Sequence, residues 1–217
     1  SSLTVRSGKA LYALHDTTSV DGLSWTTPSD AQLKNVYAPT IILENGLYRM
    51  WYVDVSKKPW AIKYAQSNNG SKWHVYRKTV MTIDQKWEHK RLFYPTVLKS
   101  NDLYLMWYGS YEKSAQTALG FAVSKDGIVW NKNPFNPVFI PNPSQYWESH
   151  YTSSQSIMAL PDGSWRIWYA SRSKPAFKNK YFAIGTARWK NWDDLIYEIC
   201  LRNAIERGFL LDFYLIQ

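Results

Sequence analysis

Short apolar and aromatic runs, each closed by a Gly, Asn or Asp turn, recur along this chain at a period of about fifty to sixty residues. The most regular is a strand ending in Trp-Tyr: Leu47-Tyr48-Arg49-Met50-Trp51-Tyr52, Leu103-Tyr104-Leu105-Met106-Trp107-Tyr108 and Trp165-Arg166-Ile167-Trp168-Tyr169. Trp51 and Trp107 are 56 residues apart, Trp107 and Trp168 are 61. Upstream lies an extended segment, Tyr37-Ala38-Pro39-Thr40-Ile41-Ile42-Leu43 and then Tyr94-Pro95-Thr96-Val97-Leu98, with a weaker copy at Ser153 to Met158. Downstream comes a strand of small and apolar residues, Ala61 to Ala65, Leu119 to Val123 and Phe182 to Ala187. A Ser-x-Asp/Asn-Gly-x-x-Trp motif closes the unit at Ser19 to Trp25, Ser67 to Trp73 and Ser124 to Trp130.

The turns agree with this division. Asn45-Gly46, Asn101-Asp102 and Asp162-Gly163 join the first two strands of a unit, and Asp21-Gly22, Asn69-Gly70 and Asp126-Gly127 join the last two. Such dipeptides supply the positive φ that tight hairpins need. The second strand is almost wholly apolar, as expected where both faces of a sheet are covered. The pattern predicts an all-β chain, a β-propeller of four-stranded antiparallel blades. About three and a half to four blades are expected: a partial one over 9–29, then 30–80, 81–135 and 136–190. The tail, 191–217, lacks the repeat, and Asp193 to Leu201 reads as a short amphipathic helix. A ring of five such blades needs about 280 residues, so a blade before Ser1 and a closing strand are expected to be missing.

Composition sharpens this picture. Twelve Trp, 16 Tyr and 8 Phe make 17% of the chain, an excess suited to pleated, half-buried surfaces and to sugar-stacking platforms. The net charge of +9 comes from scattered cations, Lys57-Lys58, Lys86 and Lys90-Arg91 among them. No basic stripe or nucleic-acid motif accompanies them, which argues against nucleic acid as a partner. Cys200 is the single cysteine, which rules out an intrachain disulfide and leaves the compartment open. No apolar run reaches the length of a membrane span. The four His show no zinc spacing, and phosphate-loop, dinucleotide and nucleophile-elbow motifs are missing, so neither a metal nor a cofactor is expected.

Function is expected where loops are long. Both hairpin turns of a blade fall at one end, so the irregular segments Asp54 to Pro59, Gly109 to Thr117, Ser171 to Lys180, His74 to Phe93 and Asn131 to His150 gather at the other. The Ser-x-Asp-Gly-x-x-Trp motif is similar to the Asp-box of sialidase propellers, but it reads best as turn chemistry because its middle copy carries Asn69. A Trp-Glu pair recurs sixty residues apart, Trp87-Glu88 and Trp147-Glu148. Two carboxyl groups at one mouth are what glycoside hydrolysis requires, an acid at the leaving oxygen and a base or nucleophile opposite. His89, Arg91 and His150 stand close enough in sequence to orient a substrate or tune a carboxyl. The alternative is a scaffold role, with Trp packing and Glu bonding to the fold.

These residues resemble a family. Pro-Thr with an apolar run, Leu-Tyr-x-Met-Trp-Tyr, and Gly-Phe-Ala-Val-Ser-Lys-Asp-Gly-Ile-Val-Trp are similar to the five-bladed propellers of the glycoside hydrolase family 43, 32 and 130 group over about residues 9–190. The resemblance implies a site at one end of the central channel, with an Asp base, a second Asp and a Glu acid carried before successive inner strands. Glu88 and Glu148 match that slot and Asp30 precedes the first inner strand, while Asn35 to Leu43 opens without an Asp. Trp87, Trp147 and Tyr111 are the expected sugar platforms, with His89, Arg91, Tyr94, His150 and Arg172 as further substrate contacts. The implied partner is an oligosaccharide or polysaccharide. A glycan-binding propeller without catalysis and a protein-interaction scaffold are the rival readings.

Overall fold

The computed structural model describes residues 2–6, 9–112, 115–174 and 182–189. Within them lie four antiparallel sheets in chain order. The first holds β1 (Ser2–Arg6), β2 (Lys9–Leu14) and β3 (Leu33–Lys34). It begins ahead of residue 9, where the repeat pattern starts, since β1 is joined to β2 by strand pairing and carries none of the repeat's markers. The second holds β4 (Val36–Glu44), β5 (Leu47–Asp54), β6 (Ala61–Ser67) and β7 (His74–Val75). The third holds β8 (Leu92–Ser100), β9 (Leu103–Ser110), β10 (Leu119–Ser124) and β11 (Asn131–Lys132). The fourth holds β12 (Tyr151–Ala159), β13 (Trp165–Arg172) and β14 (Ala183–Trp189). The expected helix at 193–201 lies outside the described residues. Among these residues no helix is long and apolar enough to cross a membrane.

The sheets pack face to face as propeller blades, and the period of two along each strand explains how. In β9, Leu105 and Trp107 join Ile157, Trp165, Ile167 and Tyr169 of the fourth sheet. Their neighbours Tyr104, Met106 and Tyr108 turn the other way, onto Trp51, Ile62 and Tyr64 of the second. Successive side chains of a strand point to opposite faces, so a strand between two sheets must be apolar throughout. Every residue of β9 but the first is buried.

The first strands, β4, β8 and β12, meet one another. Val97 N–H donates to Thr40 Oγ1 at 3.3 Å, Thr96 Oγ1 donates to the Gln155 carbonyl at 3.0 Å, and Gln155 Nε2 donates to the Tyr94 carbonyl at 2.6 Å. Each strand carries a bulge at the same place, between Tyr37 and Thr40, Phe93 and Thr96, and Ser153 and Ser156. Its extra residue is left-handed in all three: Ala38, Tyr94 and Ser154, with φ of 46°, 52° and 52°. Bulges bend a strand and re-aim its side chains. Here they do so where the strands enter the channel.

Register fixes the two ends. Glu44 faces Leu47 and Tyr48 faces Ser67 at one end, while Asp54 faces both Val36 and Ala61 at the other. Both hairpins of the blade therefore share the first end. The Ser-x-Asp-Gly-x-x-Trp motifs lie there as turns. Asp126 Oδ1 accepts the Ile128 and Val129 N–H groups, both at 2.8 Å, and Ser124 Oγ accepts Gly127 N–H at 2.8 Å. Asn69 Oδ1 does the same for Ser71 and Lys72 at 3.0 and 2.9 Å. A carboxylate and an amide oxygen serve equally, so the motif carries no acid chemistry. Gly127 combines a φ of 77° with the Trp51 ring 2.7 Å from where a Cβ would stand, and its carbonyl accepts Trp51 Nε1–H at 2.7 Å.

Candidate functional site

At the opposite end the four sheets surround a cavity of about 530 Å³. The first sheet contributes Tyr12, and the second Tyr37 and Trp60. The third contributes Arg91, Phe93, Tyr94 and Tyr111, and the fourth Tyr151, Arg172 and Phe182. Each chain segment is placed by the repeat. Tyr37 and Phe93 stand two residues before Pro39 and Pro95, just ahead of the bulge. Trp60 and Phe182 each precede the alanine that opens a third strand, Ala61 and Ala183.

Two guanidinium groups sit on these aromatic walls. Arg91 Cζ is 4.6 Å from the Trp60 ring centroid and 5.6 Å from that of Tyr111. Arg172 Cζ is 4.0 Å from Tyr151 and 4.7 Å from Phe182. Such stacking is worth about 0.5–2 kcal/mol per contact and holds each cation in place. Arg172 is only 6% exposed, and its Nε–H finds no hydrogen-bond partner among the described residues. The Tyr37 hydroxyl donates to that of Tyr94. Burial, then the Tyr94 hydroxyl, raises the Tyr37 pKa well above the usual phenol value, and burial pushes Tyr151 up to about 12. Both phenols keep their protons at neutral pH. Beside Arg172, burial and then its positive charge lower the pKa of the His150 imidazole; the backbone N–H of His150 donates to the Arg172 carbonyl at 3.1 Å.

Among the described residues no carboxylate lines this cavity. Asp54 and Glu112 stand at strand ends on the same side, each paired with a lysine, Lys63 at 3.3 Å and Lys90 respectively. Asp54 is held below its ordinary pKa: burial raises it, but bonds from Ser56 and the charge of Lys63 outweigh that. The Lys90 contact lowers Glu112 in the same way.

The Trp-Glu pairs lie elsewhere. The 3₁₀ turn Lys86–Glu88 folds back so that Glu88 is fully buried. Glu88 Oε2 accepts the Asp84 and Gln85 N–H groups at 2.7 and 2.8 Å, and Oε1 accepts Tyr108 Oη–H at 2.8 Å and Lys132 Nζ–H at 2.5 Å. Trp87 packs on Tyr108, its ring filling the space a side chain at Gly120 would need. The turn Tyr146–Glu148 repeats the arrangement: Tyr169 Oη–H donates to Glu148 at 2.5 Å, and Trp147 stacks on Tyr169 over Gly185. Both pairs buckle an entry turn onto the Tyr of the Trp-Tyr strand. The expected site residues thus divide. Arg91, Tyr94, Tyr111 and Arg172 line the channel cavity, while His150 lies outside its lining and is joined to Arg172 through the backbone. Trp87 and His89 line a second cavity. Glu88, Trp147, Glu148 and the exposed Asp30 line neither. Tyr12, Tyr37, Trp60, Phe93, Tyr151 and Phe182 were missed, although the aromatic before each Pro-Thr and each third-strand alanine is a signal the repeat carries.

Comparison with known proteins agrees with this architecture. An uncharacterised protein of Mycobacterium tuberculosis (strain CDC 1551 / Oshkosh) is 28% identical over 101 residues, 43% of this chain and 33% of that protein. The chain therefore spans about a third of its curated relative. An endo-1,4-β-xylanase structure from Bacteroides thetaiotaomicron superposes with a TM-score of 0.63 at 15% identity, covering 77% of this chain and 60% of that one. A family 117 glycoside hydrolase of Zobellia galactanivorans gives 0.56 at 16% identity over 71% and 52%. At these identities the structural likeness is one of fold. The profile of glycoside hydrolase family 130, described as β-1,4-mannooligosaccharide phosphorylase, matches residues 15–158, and since that is more than half of the sequence, the chain belongs to this glycosidase-like family.

Proposed function

We propose that the chain supplies the sugar- and phosphate-binding part of a site that cleaves β-1,4-linked mannose oligosaccharides with inorganic phosphate. Arg172 carries this reading. A buried guanidinium whose Nε–H finds no partner among the described residues, stacked against two rings and lining a cavity, suits a ligand oxyanion, which takes two N–H groups of the guanidinium fork at once. Arg91 offers a second cation from the neighbouring blade, and the aromatic walls suit a sugar ring. The family description supplies the co-substrate that such a pair would hold. In phosphorolysis a phosphate oxygen bonds to the anomeric carbon as the glycosidic C–O bond breaks, and a proton passes to the departing oxygen. A shortened chain and a sugar 1-phosphate result.

The proton donor in such a step must keep its proton near neutral pH. Asp54 and Glu112, with lowered pKa values, are poorly suited. Glu88 and Glu148 are buckles in this reading, and Asp30 is a loop residue. A second reading, glycan binding without cleavage, is favoured by the lack of a carboxylate among the described cavity residues.

The test is calorimetric titration of inorganic phosphate and of β-1,4-mannotriose, with assay of sugar 1-phosphate release. Phosphate binding should weaken at least about tenfold in Arg172→Met, the loss of one charged hydrogen bond, and Arg172→Lys should restore it only in part because the fork is lost. Mannotriose binding without phosphate-dependent product supports the second reading. If neither ligand binds, both readings fail.

A further inference from the structure

The second cavity, of about 640 Å³, shares no lining residue with the first and plays no part in the phosphate-binding reading. Its floor is rigid. Trp87 Nε1–H donates to Gln85 Oε1 at 2.7 Å, and Gln85 Nε2–H donates to the Asn133 carbonyl at 3.0 Å. Asn136 is held from both sides, donating to Tyr108 Oη and the Phe121 carbonyl at 3.1 Å each and accepting Phe121 N–H at 2.8 Å. One face of Trp87 is taken by Tyr108, and the half-buried ring still borders the cavity beside the exposed Pro134.

His89 connects the two cavities. It lines the second, bridges to Tyr111 of the first and stands two residues from Arg91. Two residues of extended chain cover about 7 Å. His89 also holds a φ of 54° and a ψ of −119°, a region that non-glycine residues rarely occupy. Such strain persists where surrounding structure enforces it, and it clusters at ligand clamps. Lys86, exposed on the same turn, adds a second polar group at the edge.

From this juxtaposition we infer that Trp87 and Pro134, edged by His89 and Lys86, form a second saccharide-binding shelf that holds the outer units of a chain whose reacting end lies in the Arg91–Arg172 cavity. The shelf rests on the reading of that cavity as a sugar site. A fixed aromatic platform needs no reordering when a sugar arrives, and preorganisation of this kind raises affinity. The polar pair at the edge accounts for a ligand that is hydroxyl-rich and not apolar. The consequence is a preference for long oligosaccharides over short ones.

Calorimetric titration with β-1,4-mannobiose, mannotriose and mannohexaose tests this in the wild-type chain, Lys86→Ala/His89→Ala and Trp87→Phe. Wild type should bind hexaose at least about tenfold more tightly than biose, a gain of about 1.4 kcal/mol. The double variant should keep the biose affinity and lose the gain, while Trp87→Phe, which retains a ring, should keep most of it. Equal affinities for biose and hexaose in wild type, or a gain that survives in the double variant, overturns the shelf and leaves the central site standing. If only hexaose binds, and the double variant abolishes that binding, the shelf stands and the central reading falls. Binding of no chain at any length overturns both.

Discussion

Replacing Glu88 by Gln separates a scaffold carboxylate from a catalytic one. The wild-type carboxylate is fully buried and accepts four hydrogen bonds, two from backbone N–H groups, one from Tyr108 and one from Lys132. The substitution places an NH₂ donor against donors and removes the buried partner of Lys132, whose side chain is 8% exposed. Breaking a buried ion pair from one side costs about 3–5 kcal/mol. Lys132 keeps Asp84 at 2.6 Å and the Thr82 carbonyl at 2.6 Å, so the lower end, about 3 kcal/mol, is expected. For a domain of this size about 1 kcal/mol moves Tm by 2–4 °C, which gives a drop of roughly 6–12 °C in a calorimetric scan. Lys132→Met alone should also destabilise, and the double variant should fall short of the sum by at least about 1 kcal/mol, because the two changes remove one interaction. Turnover or ligand affinity per folded molecule at 25 °C should be unchanged. An unaltered Tm with lost turnover would refute this reasoning and return Glu88 to the chemistry.

Three further outcomes follow from the packing and the turns. Gly120→Ala puts a methyl 2.4 Å from the Trp87 ring and 2.9 Å from Tyr108, and the overpacking should cost about 1–3 kcal/mol, read as a lower urea midpoint. Gly127→Ala adds an unfavourable φ to a clash with Trp51 and should cost more than Gly46→Ala, where nothing lies within 4 Å of the added carbon; paired denaturation curves decide it. Asp126 is raised by burial and lowered more strongly by the N–H groups of Val129 and Ile128 and the Ser124 hydroxyl, so its folded pKa lies below the ordinary 3.8. Its stabilisation is full above that value and is lost as pH falls through the folded pKa. Asp126→Asn, which reproduces the Asn69 turn, should leave Tm at pH 7 nearly unchanged and flatten its fall below pH 4; an identical acid limb would sink the assignment.

Local chemistry along the chain specified strands, hairpins and blade order, because each depends on residues close in sequence. The period-two burial of Leu103 to Ser110, the Asn-Gly and Asp-Gly turns, and the turn role of Asp21, Asn69 and Asp126 all follow from neighbours within a few positions. The end of the molecule carrying the long loops was legible too, since antiparallel strands alternate direction. The role of the Trp-Glu pairs was not. Sequence shows two carboxylates sixty residues apart, but whether a carboxylate meets substrate or a tyrosine depends on how the entry turn folds onto a strand twenty residues further on. The cavity itself joins Tyr12, Trp60, Arg91 and Arg172 from four sheets, and no local rule brings those together. Face-to-face packing of the blades does, by bringing the bulged strands β4, β8 and β12 together and leaving Arg172 buried with a donor that no described residue satisfies.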